Sequence, residues 1–232
     1  MSRALWIALM GVLAVIASAA EFDRSARRDP ALAPLVPAPF RNFAQERLTM
    51  ATVRSAGPEQ ALADARKLVR RSPLPAEHVS LLAIAEERNG ARDRSGVLVQ
   101  RAAQRGWRDP IAQQAMFAIA LAAGQHREAA NRLAALYAVQ EDQAPLNDLT
   151  SQLQATPEGR SALAEALVAG GHWTNGYLHA AVMTKASEAR ETIALALQKG
   201  ANLDCGGLRQ IIGNTPRVDD PLVVATQERC GS

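Results

Sequence analysis

The chain opens on an uncharged stretch of seventeen residues, Ala4 to Ala20, preceded only by Met1-Ser2-Arg3. A helix in the core of a globular protein keeps one polar face, and this run has none. Two readings remain, a membrane-spanning helix near the lower length limit or a secretory signal with Ala17-Ser18-Ala19 as an A-x-A cleavage site. Trp6 stands where an interfacial aromatic would, and helical pattern can run on through Glu21-Phe22-Asp23-Arg24, which favours a retained anchor. Four prolines follow between Pro30 and Pro39. Each removes a donor and disfavours helix in the residue before it, so an extended, semi-rigid spacer is expected. From Phe40 onward apolar and small positions recur in steps of three and four: Phe43, Leu48 and Ala51, then Leu62, Ala65, Leu68 and Val69. That period predicts amphipathic helices.

The helical region also repeats. Gly57, Gly90, Gly124 and Gly159 fall at intervals of 33, 34 and 35 residues, and a turn between paired helices is a place where glycine's access to positive φ is useful. Between Ala76 and Asp109, Val79 and Leu82 are apolar, Ala83 is small, Gly90 is the turn, Ser95 opens a second helix, and Val99 and Ala102 follow. From Pro110 the equivalents are Met116, Gly124, Ala129, Leu133 and Leu136, while Ala61, Ala65, Leu68 and Pro73 close the preceding unit. In period and pattern this stretch resembles the tetratricopeptide-repeat family. Phe117, where the family has a small residue, and Gln113, where it has a bulky apolar one, depart from its pattern. Beyond Gln143 the register weakens, with Asn147, Thr150 and Ser151 at core positions.

The resemblance implies an all-α solenoid of helical hairpins with a concave surface for a protein partner. Its first helices line such grooves, which points to Glu86, Gln113, Gln114 and Phe117 as partner-binding positions. The organisation expected is a membrane anchor or signal over residues 1–20, a Pro-rich spacer over 21–39, repeats over 40–170 and a helical cap over 171–232. Within the cap, Ser187 is placed to cap a helix carrying Ile193, Leu195 and Leu197; a short helix follows near Leu208–Ile212, and another runs from Asp220 to Arg229.

Composition sharpens this in two ways. Ala supplies 47 positions and Leu 26, with only 4% aromatic residues, which suits helices packed closely on small side chains. A net charge of +3 over 232 residues is no nucleic-acid footprint. The cations are overwhelmingly arginine, with only three lysines; apart from Arg24, Arg27 and Arg28, which cluster just beyond the apolar run, they are scattered, and the bias carries no functional message.

Candidate chemistry is sparse. Cys205 and Cys230 are the only cysteines, and in an exported chain such a pair reads as a disulfide. His78 and His126 fall on polar flanks and are expected to be solvated; His172 and His179 bracket Trp173 and Tyr177 in the densest aromatic and titratable patch. The carboxylates come as adjacent pairs (Glu86-Glu87, Glu141-Asp142, Asp219-Asp220), which on a helix point apart. No metal-ligand spacing, phosphate loop or nucleophile motif is present, so no metal or cofactor is expected. The function these readings favour is a non-catalytic interaction scaffold on the periplasmic side of a bacterial inner membrane, serving secretion, cell-wall or surface-polysaccharide machinery. A homo-oligomer whose groove holds its neighbour is a variant of it. The competing class is an envelope hydrolase or transglycosylase with its site near His172–Tyr177.

Overall fold

The computed structural model describes residues 3–140, 142–213 and 219–231; Met1, Ser2 and Glu141 lie outside them. The protein is all-α, and its helices pack in chain order as antiparallel pairs in the manner of a helical repeat array. Two compact units divide between Gly106 and Trp107, inside the stretch read as repeats.

The first unit begins with α1 (Arg3–Ser25), whose apolar side chains are exposed along the run and whose mean hydropathy over eighteen residues reaches 2.0. Near its end Ala19 and Asp23 are buried. The segment expected to be an extended spacer is instead a folded elbow: Pro30–Leu35 and Ala38–Phe40 form 3-10 turns. Proline's fixed φ and missing donor cost nothing in a first turn, and a 3-10 turn is short enough to consist of little else. Asp29 accepts the Ala31 N–H at 3.0 Å. Ala26, Ala33, Val36 and Ala44 then bury one another under Leu32, Phe40 and Leu48.

The elbow leads into α2 (Phe43–Ser55), α3 (Pro58–Arg71), α4 (Ala76–Arg88) and α5 (Arg92–Arg105). The core of these hairpins gathers Val53, Ala61, Leu62, Ala65, Leu68, Leu81 and Ala85. Arginines close the helix ends. Arg71, Arg88 and Arg105 are the last residues of α3, α4 and α5, spaced seventeen residues apart, half a repeat. Arg88 sits over the C-terminal end of α2, donating to the carbonyls of Val53 and of Ala56 (2.7 Å). Arg71 donates to Ala38 O at 2.7 Å and to Arg41 O, and Arg105 to Pro73 O at 2.9 Å. Each guanidinium therefore satisfies carbonyls 30 to 35 residues back that a helix end or turn leaves open. A forked, always-charged donor suits that task better than an ammonium.

His78 is not solvated. It is buried, with Nδ1 2.8 Å from Ser72 O and Nε2 3.6 Å from Glu46. Burial works against the imidazolium, but the Glu46 carboxylate and the Ser72 carbonyl outweigh it and the His78 pKa is raised. The hydrogen bond from His78 correspondingly holds the Glu46 carboxyl below its usual range.

The second unit comprises α6 (Pro110–Ala122), α7 (His126–Val139), α8 (Gln143–Gln154), α9 (Pro157–Ala169), α10 (Trp173–Thr184), α11 (Ser187–Gln198), α12 (Cys205–Ile212) and α13 (Pro221–Cys230). The first helices of successive pairs begin at 43, 76, 110 and 143, intervals of 33, 34 and 33, so pairing continues where the sequence register weakens. Of the poor core residues there, Ser151 is exposed, and buried Thr150 donates to Leu146 O at 2.7 Å and meets the Tyr137 hydroxyl at 2.9 Å. Of the four spaced glycines, only Gly90 and Gly124 take positive φ, 81° and 69°. Gly57 precedes α3 with an ordinary φ of −62°. Gly159 lies inside α9, where a Cβ would stand 1.7 Å from the Leu153 carbonyl oxygen, so close approach is what requires glycine there. Ser187 is the first residue of α11, its hydroxyl turned to Glu188 at 3.0 Å, and Ala186 occupies the cap. A disulfide joins Cys205 at the start of α12 to Cys230 at the end of α13.

Candidate functional site

The four positions expected to line a partner groove divide between the units, and only one is exposed. Glu86, on α4, is buried, with Arg66 Nη2 at 2.9 Å and Arg94 Nε at 3.2 Å. Gln113 and Phe117 are one turn apart on α6, on the face turned into the second unit. Gln113 accepts a hydrogen bond from Arg132 at 3.0 Å, and Phe117 is wholly buried in the main core cluster. The reason is volume: the ring that departs from the repeat pattern is large enough to draw its helix face inward. Substituting it would test folding, not recognition.

Gln114 lies at the edge of the open face of α6, which carries exposed Ile111, Ala118, Ile119 and Ala122. At 100° per residue these positions, with half-buried Ala115, form one continuous stripe. Ile111 is 37% exposed and Ile119 46%. Trp107, just before the helix, is 54% exposed, with the Arg108 guanidinium 4.8 Å from the centre of its ring. α6 is thus apolar nearly all round, but only one side is covered. That signal was present in its sequence, since a helix without a polar face is either buried or partnered.

The aromatic patch of α10 is a core feature. Tyr137, Trp173 and Tyr177 form a triangle with ring centres 6.0 to 6.3 Å apart. Trp173 donates to Gly170 O at 3.0 Å; Gln154 Nε2 donates to the Tyr177 hydroxyl and to Thr192 Oγ1, each at 2.8 Å. Burial, reinforced by neighbouring Tyr137, pushes the Tyr177 hydroxyl far above the usual tyrosine range. The adjoining cavity of about 80 Å³ is lined by tyrosines, amides, hydroxyls and alanines, without a carboxylate. His172 and His179 are exposed, and His179 lines an open cleft of about 220 Å³ with Asn175, Asp204 and Gln210. Chemically, this network locks α8, α10 and α11 in register.

A larger cleft, about 490 Å³, lies between α11 and α13. Its charges already have partners. Arg190 reaches Asp220 and Ile211 O (2.7 Å), and Glu191 meets Arg160 at 3.0 Å. Burial opposes the Asp220 carboxylate, yet Arg190 and the Leu222 N–H hold its pKa below the usual value. Among the described residues no group of three His, Cys, Asp or Glu side chains is placed to hold a metal ion.

No family profile matches the chain, nor does any curated protein or solved structure.

Proposed function

We propose that this protein is a membrane-tethered, non-catalytic scaffold of tetratricopeptide-like hairpins that offers the open face of α6 to a protein partner in the bacterial envelope. The observation that carries the reading is the stripe of Ile111, Ala115, Ala118, Ile119 and Ala122, with Gln114 at its edge and Trp107 just before it: apolar, continuous and uncovered. Exposed apolar faces of this kind mark interaction sites. Two features support a location on the periplasmic side of an inner membrane. α1 is long and apolar enough to cross a bilayer, and a disulfide between Cys205 and Cys230 belongs to an oxidising compartment. Secretion, cell-wall and surface-polysaccharide assemblies are the settings in which such a tether would serve.

The test is a photo-crosslinking amino acid introduced singly at Gln114 and Ile119 of the full chain in intact membranes, with exposed Glu158 on α9 as control. A discrete adduct from 114 and 119, absent from 158 and abolished by Ile111→Asp, supports the reading; an adduct to a second copy makes that partner the protein itself. Absence of any adduct from both stripe positions in folded protein overturns it.

A further inference from the structure

We propose that the proline elbow is a second membrane contact, seated in the headgroup layer of an anionic bilayer beside the end of α1. The proposal rests on the anchor reading above. The uncharged run of seventeen residues spans about 25 Å as a helix, short of the roughly 30 Å hydrocarbon core. About three further residues are needed, which brings Glu21, Phe22 and Asp23 to the far boundary. All three belong to α1, which continues unbroken to Ser25.

Glu21 is exposed there and pairs with Arg24 at 3.8 Å, while Phe22 and Asp23 suit the boundary. Phe22 is 50% exposed. Asp23, which lipid would reject, is buried: its carboxylate accepts the N–H groups of Asn42, Phe43 and Ala44 at 2.9, 3.1 and 2.9 Å, and so caps α2. That cap ties the first unit to the helix at the membrane surface, leaving no free linker between them. Ala19, inside the uncharged run, is already covered, so folded protein reaches to the level of the lipid. The elbow packs against this end of α1. Its Leu35 is 69% exposed, although neighbours Ala33 and Val36 are buried. Arg24, Arg27 and Arg28, all exposed, follow within one and a half turns, where phosphate groups would lie. An apolar tip beside three arginines that outnumber the exposed acids Glu21 and Asp29, at the end of a membrane helix whose uncharged run is slightly short, matches a bilayer interface in both polarity and charge.

The experiment uses the full chain in nanodiscs of anionic phospholipid containing nitroxide-labelled lipid. Leu35→Cys, Val12→Cys and Leu74→Cys are each labelled with one environment-sensitive fluorophore, the native cysteines being closed in their disulfide. Leu74 is 85% exposed and lies between α3 and α4. We expect quenching at 35 at least threefold stronger than at 74, with 12 quenched most. Quenching at 12 but no more at 35 than at 74 overturns the elbow contact and leaves the anchor standing. No quenching at 12 or 35 overturns both.

Discussion

In the first unit, arginines at helix ends supply what large side chains supply in the second. Of the described large side chains that are fully buried, Leu68 alone comes from the first unit; Phe117, Tyr177, Leu133, Leu146, Leu163, Ile193 and others come from the second. The core of the first unit is mostly alanine, so its helices approach closely but bury little area each. Its closure relies on Arg71, Arg88 and Arg105 reaching back to open carbonyls and on the Glu46–His78 pair. The second unit has no arginine at the next half-repeat steps, 122 and 139, which are Ala and Val; besides the contacts of Arg132, Arg160 and Arg190 it has the Tyr137–Trp173–Tyr177 cluster and a disulfide. Both units thus use arginines on carbonyls, as Arg160 on Gln154 O and Arg190 on Ile211 O show in the second; what the second adds is a core of large side chains and a covalent link.

Reduction separates them most strongly. Opening the Cys205–Cys230 link should destabilise the second unit by about 3–4 kcal/mol on the chain-entropy account, given a separation of 25 residues. In a denaturant titration with and without reductant, the transition reported by Trp173 should shift and the hydrogen-exchange protection of α3 and α4 should not. Equal loss in both units would dissolve the distinction.

A smaller effect is expected at Arg88. Arg88→Ala should cost the first unit about 1–2 kcal/mol, because charge-assisted bonds to the α2 carbonyls are lost at an exposed site. Arg88→Lys should recover less than half of this, since one ammonium nitrogen replaces the two spread guanidinium nitrogens that reach Val53 O and Ala56 O separately. Full recovery by lysine would reduce the contact to simple charge.

The smallest effect is the pH dependence of the Glu46–His78 pair. Because the His78 pKa is raised in the folded protein, its contribution is complete below the ordinary value of 6.5 and is lost as pH rises through the raised value. Because the Glu46 pKa is lowered, its share is present above 4.5 and lost as pH falls through the depressed value. The first unit should therefore be most stable between about pH 4.5 and 6.5 and weaken toward pH 8. Thermal melts of the wild type and of His78→Gln across pH 5–8 check this: the decline should vanish in the variant, and a decline that persists removes the pair as its source.

Much of the fold was readable from periodicity, because helix period and repeat length are local properties. The pairing of α2 with α3 and α4 with α5, the turns at Gly90 and Gly124, and α12 and α13 followed from spacing and from turn and cap residues. The elbow did not, because proline spacing excludes α-helix without excluding 3-10 turns. His78 was misread because its partners, Glu46 and Ser72, come from other segments. The arginine bias looked like composition alone until the seventeen-residue spacing met the open carbonyls of earlier helices.

For the candidate site, sequence placed Gln113, Gln114 and Phe117 together on α6, and Glu86 on α4. By itself it determined an all-helical chain, its repeat length, a long apolar first helix and a cysteine pair in one closing segment. Tertiary structure decided which side of each helix is buried. A helix's own period shows which residues share a face, but whether that face meets a neighbour or water depends on side-chain volume and on partners some thirty residues away. On α6 that decision turned Phe117 inward and left Gln114, Ile111 and Ile119 on the open face.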